Sequence, residues 1–187
     1  MMDPNPKTQR ITGETSVTIL PLHTPEQTPT ILVDDPVLKH MLKTLLFYME
    51  KPCHLEASGD LLHHLWEDIG ITLGMWLSEQ VDRNAIARFG QALIPMDDAL
   101  VLSVVDISRP WLSWDLSGDI PESGFEPGLA RELCMGLARS LSATIHVRKI
   151  NGDHTHHLME AAFKSLGKAF AMAFQEQDRV MSTKGLV

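Results

Sequence analysis

Apolar residues at helical spacing mark four stretches of the chain. Leu38, Met41, Leu42, Leu45 and Leu46 share one stripe of a helix over about residues 37–49. Ahead of it stands Asp34-Asp35-Pro36, an acidic cap with proline in the first turn. Similar runs predict helices over about 63–80, 129–141 and 156–175. Between them lie short runs suited to strands. Ser16–Leu20 alternates in polarity, and further strands are expected at 30–33, 53–58, 91–94, 98–107, 111–116 and 143–147. Residues 1–9 read as a loose polar arm, 21–29 as a loop with three prolines, and 117–127 as a Gly/Pro loop. Helices alternating with groups of strands predict an α+β fold with helices on sheet faces.

The order of strands, helix, strand, turn and helix occurs twice, and the sequence repeats with it. His63-His64-Leu65-Trp66-Glu67 returns 93 residues later as His156-His157-Leu158-Met159-Glu160. Ser58-Gly59-Asp60 matches Asn151-Gly152-Asp153 at the same offset, and Leu73-Gly74 matches Leu166-Gly167. Such a period marks one structural unit used twice. Imidazole and carboxylate are ligands for divalent transition metals. Gly-Asp before each motif predicts a turn, so both motifs open helices. His63 and Glu67 are one turn apart and share a face, whereas His64 points about 100° away. Diverging imidazoles, written twice, point to two metal sites rather than one. His40 and Glu132 sit at quasi-equivalent places, 23 residues before His63 and 24 before His156, and both side chains can bind a metal. His23, His54, His146 and His154 have no partner in this pattern and read as structural.

Composition narrows the function. The 187 residues suit one domain or two fused half-domains, and 44% hydrophobic residues describe a globular protein. A formal net charge of −8 argues against nucleic acid or an anionic membrane as partner, so an anionic substrate must meet local positive charge. No run reaches bilayer length and the N-terminus does not read as a signal peptide. Cys53 and Cys134 are expected to be free buried thiols, which suits a reducing, bacterial-type cytoplasm.

A series of motifs then resembles one family. In order they are Arg10-x-Thr12-x-Glu14-Thr15, His40-Met41-Leu42, Gly59-Asp60 and His63-His64-x-x-Glu67-Asp68. Arg88-Phe89-Gly90, Pro95-Met96-Asp97 and Asp106-x-Ser108-Arg109-Pro110 follow. The series closes with His156-His157-x-x-Glu160-Ala161-x-Phe163-Lys164 and Ser182-Thr183-Lys184-Gly185. From Arg10 to the C-terminus the chain resembles the imidazoleglycerol-phosphate dehydratases of histidine biosynthesis. The resemblance implies two pseudo-repeats, about 10–90 and 91–187, forming two four-stranded sheets that enclose a helical layer, as in ribosomal protein S5 domain 2. It implies a hydro-lyase converting D-erythro-imidazole glycerol phosphate to imidazole acetol phosphate. Two Mn2+ ions per site are implied, with His40, His63, His64, Glu67, His156, His157 and Glu160 as ligands. Glu132 stands where the family has an eighth, histidine ligand. Glu14, Glu67 and Glu160 are the implied catalytic carboxylates. Glu14 is also implied in substrate contact, along with Arg88, Arg109, Lys164, Ser182 and Lys184 for the substrate and its phosphate. The implied assembly is a homo-oligomeric cage of trimers. Lys39 and Thr44, where the family has Asp and Gln, join Glu132 as departures in or beside the site. They support an alternative, a divergent paralogue acting as a lyase on another phosphorylated substrate or as a non-catalytic metal-binding cage protein.

Overall fold

The computed structural model describes residues 7–22 and 27–185. Most of the N-terminal arm, His23 with the middle of the proline loop, and the last two residues lie outside that range. The first unit runs β1 (Thr8–Ile11), β2 (Thr15–Pro21), β3 (Thr30–Leu32), α1 (Pro36–Met49), β4 (Cys53–Gly59) and α2 (Leu62–Gln80). The second repeats it as β5 (Phe89–Met96), β6 (Ala99–Ile107), β7 (Trp111–Asp115), α3 (Pro127–Leu141), β8 (Ala143–Asn151) and α4 (Thr155–Ala173). Each unit forms one four-stranded sheet, ordered β1-β2-β4-β3 and β5-β6-β8-β7. In both, the third strand lies parallel to the fourth and the rest pair antiparallel. The fold is thus the α+β duplication expected.

Alternation along the strands sets which face is covered. Thr15, Val17 and Ile19 of β2 and Ala99, Val101, Val105 and Ile107 of β6 are buried against the helices. The helices cross between units rather than within them: α1 packs on α4, and α2 packs on α3. Glycine permits both crossings. A Cβ on Gly167 of α4 would lie 2.7 Å from the Leu45 carbonyl oxygen, and one on Gly74 of α2 would lie 2.8 Å from that of Leu137. These contacts are pseudo-equivalent, so Leu45 corresponds to Leu137 and, five residues earlier in each helix, His40 corresponds to Glu132.

Asp35 starts α1. Its Oδ1 accepts from the backbone N–H of Val37 and Leu38 at 2.9 and 3.2 Å. Its Oδ2 accepts from Nε1 of fully buried Trp66 at 3.0 Å, which ties α1 to the first motif helix. The two thiols are free and buried as expected, and burial pushes both pKa values up to about 12.

Three local expectations change. Thr8 and Gln9, read as part of a loose arm, belong to β1, an edge strand whose polar residues give no apolar alternation. Gly59, read as a turn residue, is the last residue of β4, so only Asp60 and Leu61 connect that strand to α2. Helix α4 ends at Ala173 rather than near Gln175. Gly152 does break the chain before the second motif. Its φ of +116° and a Cβ that would meet Ala99 Cα at 2.6 Å leave room for glycine alone.

Candidate active site

Crossing the helices between units brings residues of the two repeats together. His40 on α1 faces His156 and Glu160 on α4, and their ligand atoms all lie within 4.8 Å of one another. His40 Nε2 is 3.5 Å and His156 Nε2 3.3 Å from Glu160 Oε2. Two imidazoles and one carboxylate, all presented by helices, form a donor set that fits a divalent transition metal. Lys164 lies one turn on and reaches Glu160 Oε1 at 2.8 Å. This is an i,i+4 pair with both side chains largely buried. Burial pushes the Glu160 carboxyl up; hydrogen bonds and charge from Lys164 and then His40 outweigh it and hold the pKa below its ordinary value.

The other motif residues divide by face, as the spacing requires. His63 Nε2 lies 4.0 Å from Glu67 Oε2 on the α2 face that packs on α3. Gly136 of α3 abuts the Glu67 backbone, and Glu132 lies one turn before it. The Glu132 carboxylate is taken by Arg131, at 2.8 Å from Nη1. Position 71, equivalent to Lys164, holds Ile71, so the first unit lacks the compensating ammonium. Second histidines of both motifs turn toward the tip of their own unit's hairpin. His64 Nδ1 is 2.8 Å from Asp60 Oδ1 and 3.6 Å from Glu14 Oε2. His157 Nδ1 is 2.6 Å from Asp98 Oδ1, and its Nε2 is 3.4 Å from Asp97 Oδ2. Glu14 and Asp98 are therefore pseudo-equivalent, each at the turn between the first two strands of its unit. Hydrogen bonds donated to the Asp60 and Asp98 carboxylates raise the pKa of His64 and His157 respectively.

Buried Asp68 locks the first hairpin onto α2. It accepts from Arg10 Nε at 3.0 Å and makes a short hydrogen bond with the Thr15 hydroxyl. Glu14 sits beside this clamp, about 60% exposed at the hairpin tip.

Comparison with known proteins gives the family. A family model described as imidazoleglycerol-phosphate dehydratase matches residues 34–170. The imidazoleglycerol-phosphate dehydratase of Pyrococcus furiosus is 49% identical over 158 residues, 84% of this chain and 89% of that protein. This chain belongs to the imidazoleglycerol-phosphate dehydratase family. The relative from Desulfosudis oleivorans is 37% identical and covers 96% of both chains. A crystal structure of the Pyrococcus furiosus protein superposes with a TM-score of 0.89 at 46% identity, covering 96% of this chain and 99% of that one. The Staphylococcus aureus imidazoleglycerol-phosphate dehydratase gives 0.78 at 32% identity, covering 91% and 99%.

Within this dehydratase-family chain the basic residues read as substrate contacts go to separate places. Arg88, at φ +71°, forms a two-pronged pair with Asp106 at 2.7 and 3.1 Å and donates to the Met181 carbonyl at 3.2 Å. That bond draws the C-terminal segment in, and Arg88, Phe89, Arg179, Met181, Ser182 and Thr183 line a cleft of about 480 Å³. Arg179 was not marked by the sequence pattern. Ser182 Oγ accepts from the Lys184 backbone N–H at 3.3 Å, and the Lys184 side chain is exposed. Arg109 is exposed at the turn between β6 and β7. Lys164 stays at Glu160. Of the departures, Lys39 lines a cleft on the outer side of the first sheet with Asp34, Glu56 and Ser58, not the His40 cluster. Thr44 is buried on α1 one turn after His40.

Proposed function

We propose that this chain is a metal-dependent hydro-lyase that removes water from D-erythro-imidazole glycerol phosphate to give imidazole acetol phosphate, a step of histidine biosynthesis, in the cytoplasm. The observation that carries the reading is the convergence of His40, His156 and Glu160 from opposite repeats in a chain whose relatives bear that activity by name. His40, His156 and Glu160 would hold one ion. His63, His64, Glu67, Glu132 and His157 are the remaining ligands, completed where copies of the chain meet, for two Mn2+ per site. Bound there, the ions would supply Lewis-acid polarisation to the substrate's imidazole ring. Manganese accepts oxygen donors readily, so Glu132 serves in the place of an imidazole.

The chain's own groups do the rest. Exposed Glu14, held on the hairpin that Asp68 anchors, takes the proton from carbon as the hydroxyl departs. Glu160 stays ionised because Lys164 compensates it, and Glu67 has the matching place in the first motif. Arg88, Arg109, Arg179 and Lys184 give an anionic substrate local positive charge in a chain of net charge −8, and Ser182 adds a hydroxyl donor. A cage built from trimers is the proposed assembly. Ligand imidazoles that remain part-exposed and an apolar outer face on the second sheet support association of copies.

Complementation tests the reading. Expression in a histidine auxotroph lacking this dehydratase is expected to restore growth without histidine. Purified protein that carries its metal yet neither complements nor dehydrates the substrate would refute it.

A further inference from the structure

Four imidazoles open the two motif helices, and three of them present Nδ1 to a carboxylate that the sequence pattern did not assign. His64 Nδ1 is 2.8 Å from Asp60 Oδ1, His157 Nδ1 is 2.6 Å from Asp98 Oδ1, and His156 Nδ1 is 3.2 Å from Glu122 Oε2. The three acids come from unrelated places: the turn before α2, the β5–β6 hairpin tip and the loop before α3. An ionised carboxylate can only accept, so the nitrogen facing it must donate. A neutral imidazole has one N–H, and placing it on Nδ1 leaves Nε2 with a bare lone pair. On that side stands a second acceptor: Glu160 Oε2 is 3.3 Å from His156 Nε2, and Asp97 Oδ2 is 3.4 Å from His157 Nε2. Two lone pairs facing each other call for a cation between them.

Each acid is itself fixed. Asp98 Oδ2 accepts from the backbone N–H of Asp153 and His154 at 2.8 and 3.3 Å, which frees Oδ1 for His157. Asp60 Oδ1 also accepts from the Leu61 N–H at 2.7 Å. Glu122 lies on a loop clipped to α4, where Ile120 N–H donates to Asp153 at 2.9 Å and Thr155 N–H to Ile120 at 3.0 Å. Phe125 of the same loop stacks on the His156 ring, centroids 4.1 Å apart.

We propose that Asp60, Asp98 and Glu122 are positioning residues that fix His64, His157 and His156 in the Nδ1–H tautomer, leaving each Nε2 to donate its lone pair to a divalent cation. The cation part rests on the metal reading above; the tautomer part is a property of the metal-free protein. Outer partners of this kind typically change metal affinity 10–100-fold when removed.

Nitrogen-15 spectra of histidine-labelled, metal-free protein, taken above the imidazole pKa values, report the tautomers directly. His64, His156 and His157 are expected to carry the proton on Nδ1. His63, with no carboxylate on Nδ1 among the described residues, is the internal control. Glu122→Ala is expected to release His156 alone and to weaken Mn2+ binding, followed by electron paramagnetic resonance of the free ion, about 10–100-fold, with Glu122→Asp restoring most of it. Asp98→Ala should do the same at His157 but also takes the acceptor from two backbone N–H groups at the start of α4, so the loop variant Glu122→Ala is the decisive one. Native rings protonated on Nε2, or tautomers and Mn2+ affinity unmoved by Glu122→Ala, would overturn the proposal. Tautomers as stated in a protein that binds no Mn2+ would instead remove the metal reading and, with it, the cation part.

Discussion

Glu14 and the motif glutamates are all carboxylates, and the test that separates them is which quantity moves. Glu14 lies 3.6 Å from His64, farther than Asp60, and is open to solvent at its hairpin tip. Glu14→Gln keeps the shape and removes the base, so kcat is expected to fall by about 10²- to 10⁴-fold with bound metal unchanged. Glu160→Gln strikes the cluster itself and leaves the Lys164 ammonium uncompensated, so metal content should fall along with activity. Equal metal loss in both variants would remove Glu14 from its proposed role. The histidine–aspartate pairs give a pH dependence. His157 and His64 have pKa values raised above the ordinary 6.5 by the hydrogen bonds they donate to Asp98 and Asp60, so their contribution is complete below 6.5 and fades as pH climbs through the folded values. Asp98 is lowered chiefly by the Asp153 N–H and then by His157, and Asp60 by His64, so their contribution is present above 3.8 and fades in acid. Both pairs therefore stabilise most between about pH 4 and 6.5. The Tm of metal-free protein should decline from pH 6.5 to 8, and Asp98→Ala should flatten that decline.

At the scale of elements, the crossing of helices between repeats is what builds the cluster, and it rests on close backbone approach. Gly167→Ala would push a methyl to 2.7 Å from the Leu45 carbonyl, where backbone cannot give way. Overpacking of this kind costs about 1–3 kcal/mol, against roughly 1 kcal/mol of helix propensity regained. Net destabilisation is expected in urea melts, whereas Gly128→Ala, with nothing within 4 Å, should stabilise by about 0.4–1 kcal/mol. Much of this architecture was legible, because apolar periodicity marked all four helices and the 93-residue repeat marked the duplication. The divergence of His156 from His157 followed from helix geometry alone. The crossing itself was not legible: nothing local says that α1 packs on α4 rather than on the helix of its own unit. For the same reason His40 and Glu160, 120 residues apart, could be paired only through family resemblance. Asp98 and Glu122 escaped notice because they contact their histidines across 59 and 34 residues. No repeat signal marked Asp98, because it stands 84 residues after Glu14 rather than 93, and only the strand pairing aligns the two. Strand β1 was missed because an edge strand buries one polar residue, Thr8, and needs no apolar alternation.

For the whole molecule, the two sheets differ on their outer faces, and this bears on association. The second sheet exposes Leu93, Trp111 and Ile150, each more than half accessible, beside half-buried Leu102 and Val104. The first exposes Ile11 and Leu32 on its matching face, but among polar Ser16, Thr18, His54, Glu56 and Ser58. Large apolar side chains on a sheet face are costly to leave in water, and a second copy of the chain is the occupant proposed for them. Leu93→Asp with Ile150→Asp should lower the sedimenting mass while the circular dichroism of the protomer persists, because neither side chain supports the core. Metal acts on a different term. If Mn2+ binds the folded chain alone, an ion at 100 times its Kd adds about 2.7 kcal/mol, or about 5–11 °C in Tm for a chain of this size. A chelator should reverse that shift in wild type and in the sheet-face variant alike if the His40 set is complete within one chain. Should the variant lose the metal-dependent shift together with its mass, the ion is shared between copies, and assembly and metal binding are one equilibrium rather than two.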